Sequence, residues 1–192
     1  MAAPTIRGRV FPNTTATTAV DTAGERLGAI SGTSTWSTGG GNEADFGTVD
    51  ISGGAADSGV VHVIIDWTAD GGNTSVDTFL FWLSSNGFDQ GGSVGKFQPV
   101  SGADQGSPSN TENYVQNATT GDYTWGTIPE SEPGGQNVYP SDEGSSMALS
   151  TTSDDGIMIA MYMAIASGET TGTYSGTTSN YELQFSFKYS YS

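Results

Sequence analysis

The segment Tyr181–Tyr191, with the sequence YELQFSFKYSY, alternates one apolar or aromatic residue with one polar residue along its whole length. Successive side chains of a β-strand point to opposite faces, so this pattern predicts a long strand with one face in a core and the other in water. A helix would spread the same apolar residues around its whole circumference. The end of the chain therefore indicates a β-sheet that is covered on one side.

Three further apolar runs predict strands. Val60–Trp67 is rich in β-branched residues, whereas Val76–Leu83 and Ile157–Ile165 are apolar on both faces, as is typical of strands covered on two sides. Between the first two runs, Asp70–Asn73 (DGGN) is a hairpin signal because glycine accepts the positive φ of a tight turn. These runs predict the centre of the fold.

Weaker strand signals occur along the rest of the chain, at Thr5–Phe11, Thr17–Val20, Phe46–Ile51, Gly95–Val100, Asp122–Ile128 and Ser146–Ser150. No segment of ten or more residues shows a convincing helical period. Short strands separated by glycine-rich turns predict an all-β domain, a β-sandwich or a jelly-roll-like fold of about ten short strands.

The length of 192 residues fits one β-rich domain, with residues 1–26 as a candidate N-terminal arm. Residues 101–144 differ from their flanks because prolines and acidic residues recur among them, interrupted by aromatic residues. A purely solvated linker has no use for aromatic side chains, so we expect a long loop excursion that is partly ordered.

The charge balance excludes several classes of protein. With 21 acidic residues against five basic ones, the formal charge is −16, and such a chain repels a phosphate backbone, so no nucleic-acid partner is expected. The absence of cysteine excludes disulfides, a thiol nucleophile and a cysteine-based zinc site. No apolar stretch reaches membrane-spanning length or forms a secretory signal, so we expect synthesis in a cytoplasm and no membrane partner.

The charge is also unevenly distributed. Residues 1–26 hold three arginines against two acids, whereas residues 27–192 hold two lysines against nineteen acids. The segment Ile6–Phe11 (IRGRVF) reads as an extended stretch with two arginines on one side. It could lie along an acidic partner or along the acidic body of its own chain, and an ordinary first strand with solvated arginines is the alternative.

Catalytic patterns are weak. Gly91–Gly95 matches the G-x-S-x-G nucleophile elbow, but that motif needs a following helix and a later histidine, and the single histidine, His62, precedes Ser93. His62 lies inside a predicted strand, where a hydrogen-bonded structural role is expected. Glycosidases use two carboxylates, but in so acidic a chain close carboxylate pairs arise from composition alone, so they are no evidence for a glycosidase. The pairs are Glu43 with Asp45, Glu130 with Glu132, and Asp154 with Asp155.

Neither a metal nor a cofactor is predicted. One histidine and no cysteine disfavour zinc. Asp66, Asp70, Asn73 and Asp77 supply oxygen ligands of the kind that calcium prefers, but their spacing departs from the EF-hand loop, so a calcium site is left open.

The aromatic residues fall into two groups. Trp67 and Trp82 lie in apolar runs and are expected in the core. A second group lies among Ser, Thr and Gly in segments predicted to be exposed, where a flat ring can stack on a sugar or fill a partner's pocket. These candidate sugar- or partner-binding residues are Trp36, Tyr123, Trp125 and Tyr139.

In overall character, a cysteine-free chain rich in Gly, Ser and Thr that ends in the alternating strand Tyr181–Phe187 resembles bacteriophage virion proteins of the head-decoration (cement) type. The resemblance implies a non-enzymatic structural protein on the outer surface of a phage head, which binds the major capsid protein or another virion protein as a homo-oligomer, with a trimer favoured. The candidate capsid-contact residues are then Ile6, Arg7, Arg9, Val10 and Phe11.

Two other functions stay open. The exposed aromatic residues fit a carbohydrate-binding or receptor-binding β-sandwich module, of a phage fibre or an extracellular protein. A hydrolase is the third alternative, and it would require carboxylates that follow no sequence motif to lie close together in the folded chain. Under any of the three, a saline habitat would account for the acidity, since acid-rich and lysine-poor surfaces suit high salt.

Overall fold

The computed structural model describes residues 5–12, 25–30, 34–37, 46–68, 72, 74–100, 119–121, 123–138, 146–148, 155–172 and 183–192. Within these ranges the chain forms eleven β-strands and no helix. The described part of the protein is therefore all-β, in agreement with the prediction from its alternating sequence.

The strands follow one another as β1 Thr5–Pro12, β2 Glu25–Ile30, β3 Ser34–Ser37, β4 Ala56–Asp57, β5 Val61–Thr68, β6 Ser75–Asn86, β7 Val94–Val100, β8 Gly126–Thr127, β9 Ser146–Ala148, β10 Asp155–Ile165 and β11 Leu183–Tyr191. They form two sheets. The larger has seven strands in the order β2-β1-β5-β10-β7-β8, with β4 paired to β10 beside this path, and the smaller has the order β3-β11-β6-β9. Every pairing in both sheets is antiparallel.

Strand β10 lies in the middle of the larger sheet. Its residues 155–161 pair with β5, and its residues 158–164 pair with β7. Ile157 and Ile159 are fully buried on one face, and Ala160 and Tyr162 are buried on the other. This double burial is the reason why the sequence of the strand is apolar on both faces.

One hydrophobic cluster takes residues from both sheets. The rings of Phe81 on β6 and Phe97 on β7 lie 5.8 Å apart, and so join the smaller sheet to the larger. On the smaller sheet, Phe81 stacks on Phe185 with centroids 5.8 Å apart and an interplanar angle of 4°. Burying a large apolar side chain of this kind contributes about 1.5–3 kcal/mol, so each of these phenylalanines adds to the stability of the core.

A β-bulge changes the pattern of burial in β6. The register against β11 shifts by one residue between Leu80 and Asp77, and Thr78, in this interval, has a φ of +56°. Val76 and Phe79 are three residues apart, yet both are fully buried in the cluster. Strict alternation would send one of them to the opposite face, so the extra residue of the bulge is what brings both into the core.

The strong strand predictions are confirmed. The observed ends differ from the predicted ones: β6 and β10 extend beyond their apolar runs, and β11 begins at Leu183. Phe46–Ile51, predicted as a strand, has no regular structure, and in the described part of Asp122–Ile128, residues 123–128, only Gly126–Thr127 is a strand. The short strands β2, β3 and β4 lack a recognisable alternation and were not predicted. Thr17–Val20 lies outside the described residues.

Candidate functional site

Aromatic side chains gather on one face of the larger sheet, the face turned away from the core. Val61, Val63 and Ile65 of β5 belong to the core cluster, so the intervening His62 faces the other side. In the register His62 pairs with Ala160 of β10, and the next residue on that side of β10 is Tyr162. We call this side the outer face of the larger sheet.

The loop before β8 covers this outer face. Tyr123 lies over His62, with its hydroxyl 2.9 Å from His62 Nε2 and the two rings edge to face at 5.7 Å. Trp125 packs edge to face against Tyr123, at 5.3 Å, and against Tyr162, at 4.8 Å. The Trp125 indole N–H donates to the carbonyl of Thr120 at 2.7 Å, which fixes the orientation of the ring. His62, Tyr123, Trp125 and Tyr162 form what we call the outer aromatic cluster.

Burial keeps the outer aromatic cluster uncharged at neutral pH. Desolvation lowers the pKa of His62 from 6.5 to about 4, and the side chain is fully buried. Burial also raises the pKa of Tyr162, and the nearby charge of Asp57 raises it further. Tyr123 and Trp125 are half-buried, so parts of two neutral rings reach the surface. Such an arrangement is suited to stacking on a flat apolar surface, while the burial of His62 keeps it from acting on a substrate as a base.

Two of the four candidate sugar-binding residues, Tyr123 and Trp125, come together in this cluster. Trp36 lies on β3 of the smaller sheet, opposite Phe185 in the register, and Tyr139 falls outside the described residues. The hydrogen-bonded structural role predicted for His62 is confirmed by its contact with Tyr123. Tyr162 was missed because it lies inside an unbroken apolar run, where nothing marks one side chain as facing outward.

The candidate capsid-contact residues Ile6, Arg7, Arg9, Val10 and Phe11 all lie in strand β1. This strand is inside the larger sheet, paired with β2 along one edge and with β5 along the other. Arg7 pairs with Asp66 and Arg9 with Ile64 on β5. The main chain of β1 is thus engaged within the protein, so a capsid contact made by this segment has to use its side chains. Its role in binding a capsid stays a prediction.

Ser93 does not have the surroundings of a nucleophile. It ends a turn that leads into β7, and its side chain is 1% exposed. Its hydroxyl donates to Glu169 Oε2 at 2.5 Å and accepts from the main-chain N–H of Ala166 at 3.0 Å. A nucleophile elbow presents its serine at the surface after a strand and before a helix, and neither condition holds here.

The carboxylate of Glu169 joins two loops. Besides Ser93, it accepts hydrogen bonds from the main-chain N–H groups of Asp89, at 2.8 Å, and Gln90, at 3.2 Å. Asp89 in turn accepts from the hydroxyl and the N–H of Thr170, and the hydroxyl bond is the main reason why the pKa of Asp89 lies below its usual value. No pattern in the sequence marks this buried glutamate, which serves the structure of the loops that flank β7 and β10.

Of the candidate acidic pairs, the structure describes Glu130 and Glu132, which engage separate partners, whereas Glu43, Asp45 and Asp154 lie outside the described residues. Glu130 accepts from the side-chain amide of Asn86 at 2.7 Å, and Glu132 forms an ion pair with Lys188 at 2.6 Å. Among the residues that the structure describes, no three Asp, Glu or His side chains are grouped as a metal site would require. Of the calcium candidates, Asp66 lies on β5 and Asp77 on β6, in different sheets, and Asp70 and Asn73 fall outside the described residues.

Comparison with known proteins gives no relative for this chain: no protein-family model, no curated protein and no solved structure matches it. In the described part of the chain, no helix has the length and apolar character needed to span a membrane.

Proposed function

We propose that this chain is a non-enzymatic structural protein of a virion, a decoration protein that binds the outer surface of a phage head and stabilises it. The observation that carries the proposal is the segregation of charge between β1 and the rest of the chain. Two of the five basic residues, Arg7 and Arg9, lie on one strand, and residues 27–192 carry two lysines against nineteen acids. A protein with one basic segment on a strongly acidic body can bind a partner through the basic segment and leave its acidic surface exposed to solvent.

The orientation on a capsid follows from this charge pattern. Acidic residues that face outward stay away from the packaged nucleic acid and from the partner, while the β1 segment meets the major capsid protein or another virion protein. A ligand that binds only the assembled lattice stabilises it by mass action, without any chemical step. A homotrimer is the favoured assembly, because closed symmetry lets one molecule bridge several neighbouring capsomers.

The fold suits this role if the two sheets pack face to face as a β-sandwich. Support for that architecture comes from the single core cluster, to which β5, β7 and β10 of the larger sheet and β6 and β11 of the smaller sheet all contribute. The Phe81–Phe97 ring contact links the two sheets within this cluster. A sandwich of this kind is a stiff body, which a protein that braces a lattice needs.

The test is cryo-EM of particles purified from the source of the sequence, at a resolution that identifies side chains. We expect ordered density for this chain at symmetric positions on the outside of the head, with β1 nearest the capsid. Particles whose proteins do not include this chain would refute the proposal, and density in a tail or fibre would move the chain to another virion role.

A carbohydrate-binding module is the second candidate, and the adjacency of Tyr123 and Trp125 is the observation that favours it. Both rings are half-buried and neutral, and they lie 5.3 Å apart at the surface of the larger sheet. A glycan array screened with the intact chain tests this function. Binding that is lost in Trp125→Ala and kept in Trp36→Ala, a tryptophan on the other sheet, would support it, and a screen without any bound glycan would remove it.

A further inference from the structure

One asparagine of the chain, Asn86, is followed directly by a glycine. Asn86 is the last residue of β6, and Gly87 begins the loop that leads to β7. Glycine has no Cβ, so its main-chain nitrogen is open to close approach and its backbone adopts more conformations than that of any other residue. The Asn86–Gly87 pair is therefore the position in this sequence best suited to attack by a main-chain nitrogen on the preceding side-chain amide.

Two hydrogen bonds hold the side-chain amide of Asn86. Its Oδ1 accepts from the Phe88 N–H at 3.1 Å, and its Nδ2 donates to Glu130 Oε1 at 2.7 Å. The bond from Phe88 closes a ring that includes the Gly87 peptide, so the side chain lies folded back along the main chain with which it would react. The same N–H polarises the amide carbonyl and stabilises negative charge that develops on Oδ1.

The reaction that this arrangement favours is deamidation through a cyclic imide. The Gly87 nitrogen forms a bond to Asn86 Cγ and loses its proton, while the bond from Cγ to Nδ2 breaks and Nδ2 leaves as ammonia with that proton. Water then opens the imide at either carbonyl, which gives an aspartate or an isoaspartate at position 86. Asn86 is half-buried, so solvent water reaches the residue. The only co-reactant is water.

The contact with Glu130 opposes this reaction. Nδ2 is the atom that leaves, and a hydrogen bond to a carboxylate holds it more strongly than a bond to a neutral acceptor does. Glu130 is positioned by the preceding residue, since the Pro129 carbonyl accepts from the Leu83 N–H of β6 at 2.8 Å. The bond between Asn86 and Glu130 therefore joins the end of β6 to the segment that begins at Pro129, and it breaks when ammonia leaves.

We propose that Asn86 is a site of spontaneous deamidation, that Glu130 restrains the reaction, and that the product cuts the link between β6 and Glu130. After the reaction, position 86 carries a carboxylate in place of the amide. Ionised carboxylates only accept hydrogen bonds, so the bond to Glu130 cannot form again and the two negative charges repel each other. The modification is irreversible and does not depend on the partner of the chain.

Peptide mapping by mass spectrometry tests the restraint, with the intact chain kept at neutral pH and physiological temperature. The parent is compared with Glu130→Ala and Glu132→Ala. Each variant removes one negative charge, but Glu130 is bonded to Asn86, whereas Glu132 is paired with Lys188. We expect deamidation at Asn86 to be about twofold to tenfold faster in Glu130→Ala than in the parent, and unchanged in Glu132→Ala. Equal or slower reaction in Glu130→Ala would overturn the restraint.

Two further arms keep the result interpretable. The parent unfolded in urea gives the reference rate, and a folded parent and Glu130→Ala that both stay intact at Asn86 while the unfolded chain reacts would overturn the site itself. Circular dichroism melting establishes that the variants fold. Glu130→Gln, which keeps an uncharged acceptor for Nδ2, replaces Glu130→Ala if that variant unfolds, and its rate should lie between those of the parent and the unfolded chain.

Amide hydrogen exchange at Leu83 tests the structural consequence, because the Leu83 N–H donates to the carbonyl beside Glu130. Asn86→Asp, which reproduces the aspartate product, should exchange at Leu83 about twofold to fivefold faster than the parent. Adding Glu130→Gln supplies a donor to the new carboxylate and should restore slow exchange, whereas adding Glu132→Gln should not. Exchange at Leu83 that is the same in Asn86→Asp and the parent would show that deamidation leaves this link intact.

Discussion

The side-chain amide of Asn137 makes both hydrogen bonds that a neighbouring strand would make to Phe81. Its Oδ1 accepts from the Phe81 N–H at 2.8 Å, and its Nδ2 donates to the Phe81 carbonyl at 2.7 Å. On either side, the Asn137 N–H donates to the Phe79 carbonyl, and the Leu83 N–H donates to the Pro129 carbonyl. The segment 129–138 thus satisfies the main chain of β6 where β9 no longer pairs with it, and it does so without being a strand.

We expect Asn137→Ala to lower the free energy of unfolding by about 1–3 kcal/mol, because it leaves two main-chain groups of a central strand without their partner. Urea denaturation measures the change. Gln136→Ala, which removes the side-chain bond to the Val138 carbonyl but no bond to the main chain of Phe81, is the matched control and should cost less. Equal losses in the two variants would show that the amide pairing with Phe81 contributes little.

The outer aromatic cluster makes stability depend on pH through His62. Its pKa is about 4 in the folded chain, against the ordinary histidine value of 6.5 expected in the unfolded chain, so the unfolded chain binds the proton more readily. Stability is therefore complete above pH 6.5, falls as the pH drops towards 4, and loses no more to this group below that. The loss is about 3 kcal/mol over the window.

Urea denaturation of the parent and of His62→Gln at several pH values isolates this effect, since the carboxylates titrate alike in both proteins. The difference in the free energy of unfolding between the two should shrink as the pH falls from 6.5 to 4. A difference that stays constant across this window would mean that His62 is protonated in the folded chain as readily as in the unfolded one.

Replacing Glu169 should reduce the protection of nearby main-chain amides against hydrogen exchange. In Glu169→Gln the charge that strengthens the bonds to Ser93, Asp89 and Gln90 is gone, and one side-chain oxygen becomes a donor facing donors. We expect a loss of about 2–4 kcal/mol and faster amide hydrogen exchange at Asp89 and Gln90. Glu130→Gln, at a glutamate nearer the surface, is the control and should change both quantities little. Unchanged exchange at Asp89 and Gln90 would contradict the role given to the carboxylate.

Repulsion among the acidic residues predicts that the melting temperature of the protein depends on salt. With a formal charge of −16, screening of like charges should raise the melting temperature as sodium chloride is added. The exposed Lys188–Glu132 ion pair opposes this trend only weakly, because exposed pairs contribute little. A melting temperature that stays flat or falls with added salt would show that repulsion between the acidic residues does not limit stability.

The sequence predicted the long strands because their apolar residues either alternate, as Phe185, Phe187 and Tyr189 do in β11, or form unbroken runs, as in β6 and β10. It could not predict the bulge at Thr78, since a register shift depends on the partner strand and leaves no mark in composition. The sequence also does not show which distant residues come into contact in the folded chain. Tyr123 is 61 residues from His62, and Glu169 is 76 residues from Ser93, so only the folded chain shows that they meet.

Gly95 lies in β7 at a point where the chain passes close to Ile128. A Cβ at position 95 would lie 2.8 Å from Ile128 Cδ1, and 3.4 Å from Ile128 Cγ1 and from Met163 Cε. Ile128 is fully buried, and its N–H donates to the Gly95 carbonyl at 2.8 Å, so neither the side chain nor the main chain can easily withdraw. Gly95→Ala should therefore overpack the core and cost about 1–3 kcal/mol.

Ile128→Val removes the Cδ1 atom that the new methyl group would strike, at a cost of about 0.5–1.5 kcal/mol by itself. In Gly95→Ala with Ile128→Val the two changes fit each other, so the double variant should be more stable than the sum of the single losses by about 1 kcal/mol or more. Gly126→Ala on β8 is the matched control, because its Cβ would meet Phe97 at 3.6 Å, an ordinary contact. Urea denaturation of the four proteins of the cycle gives the coupling, and strictly additive losses would show that Gly95 is not held at this position by Ile128.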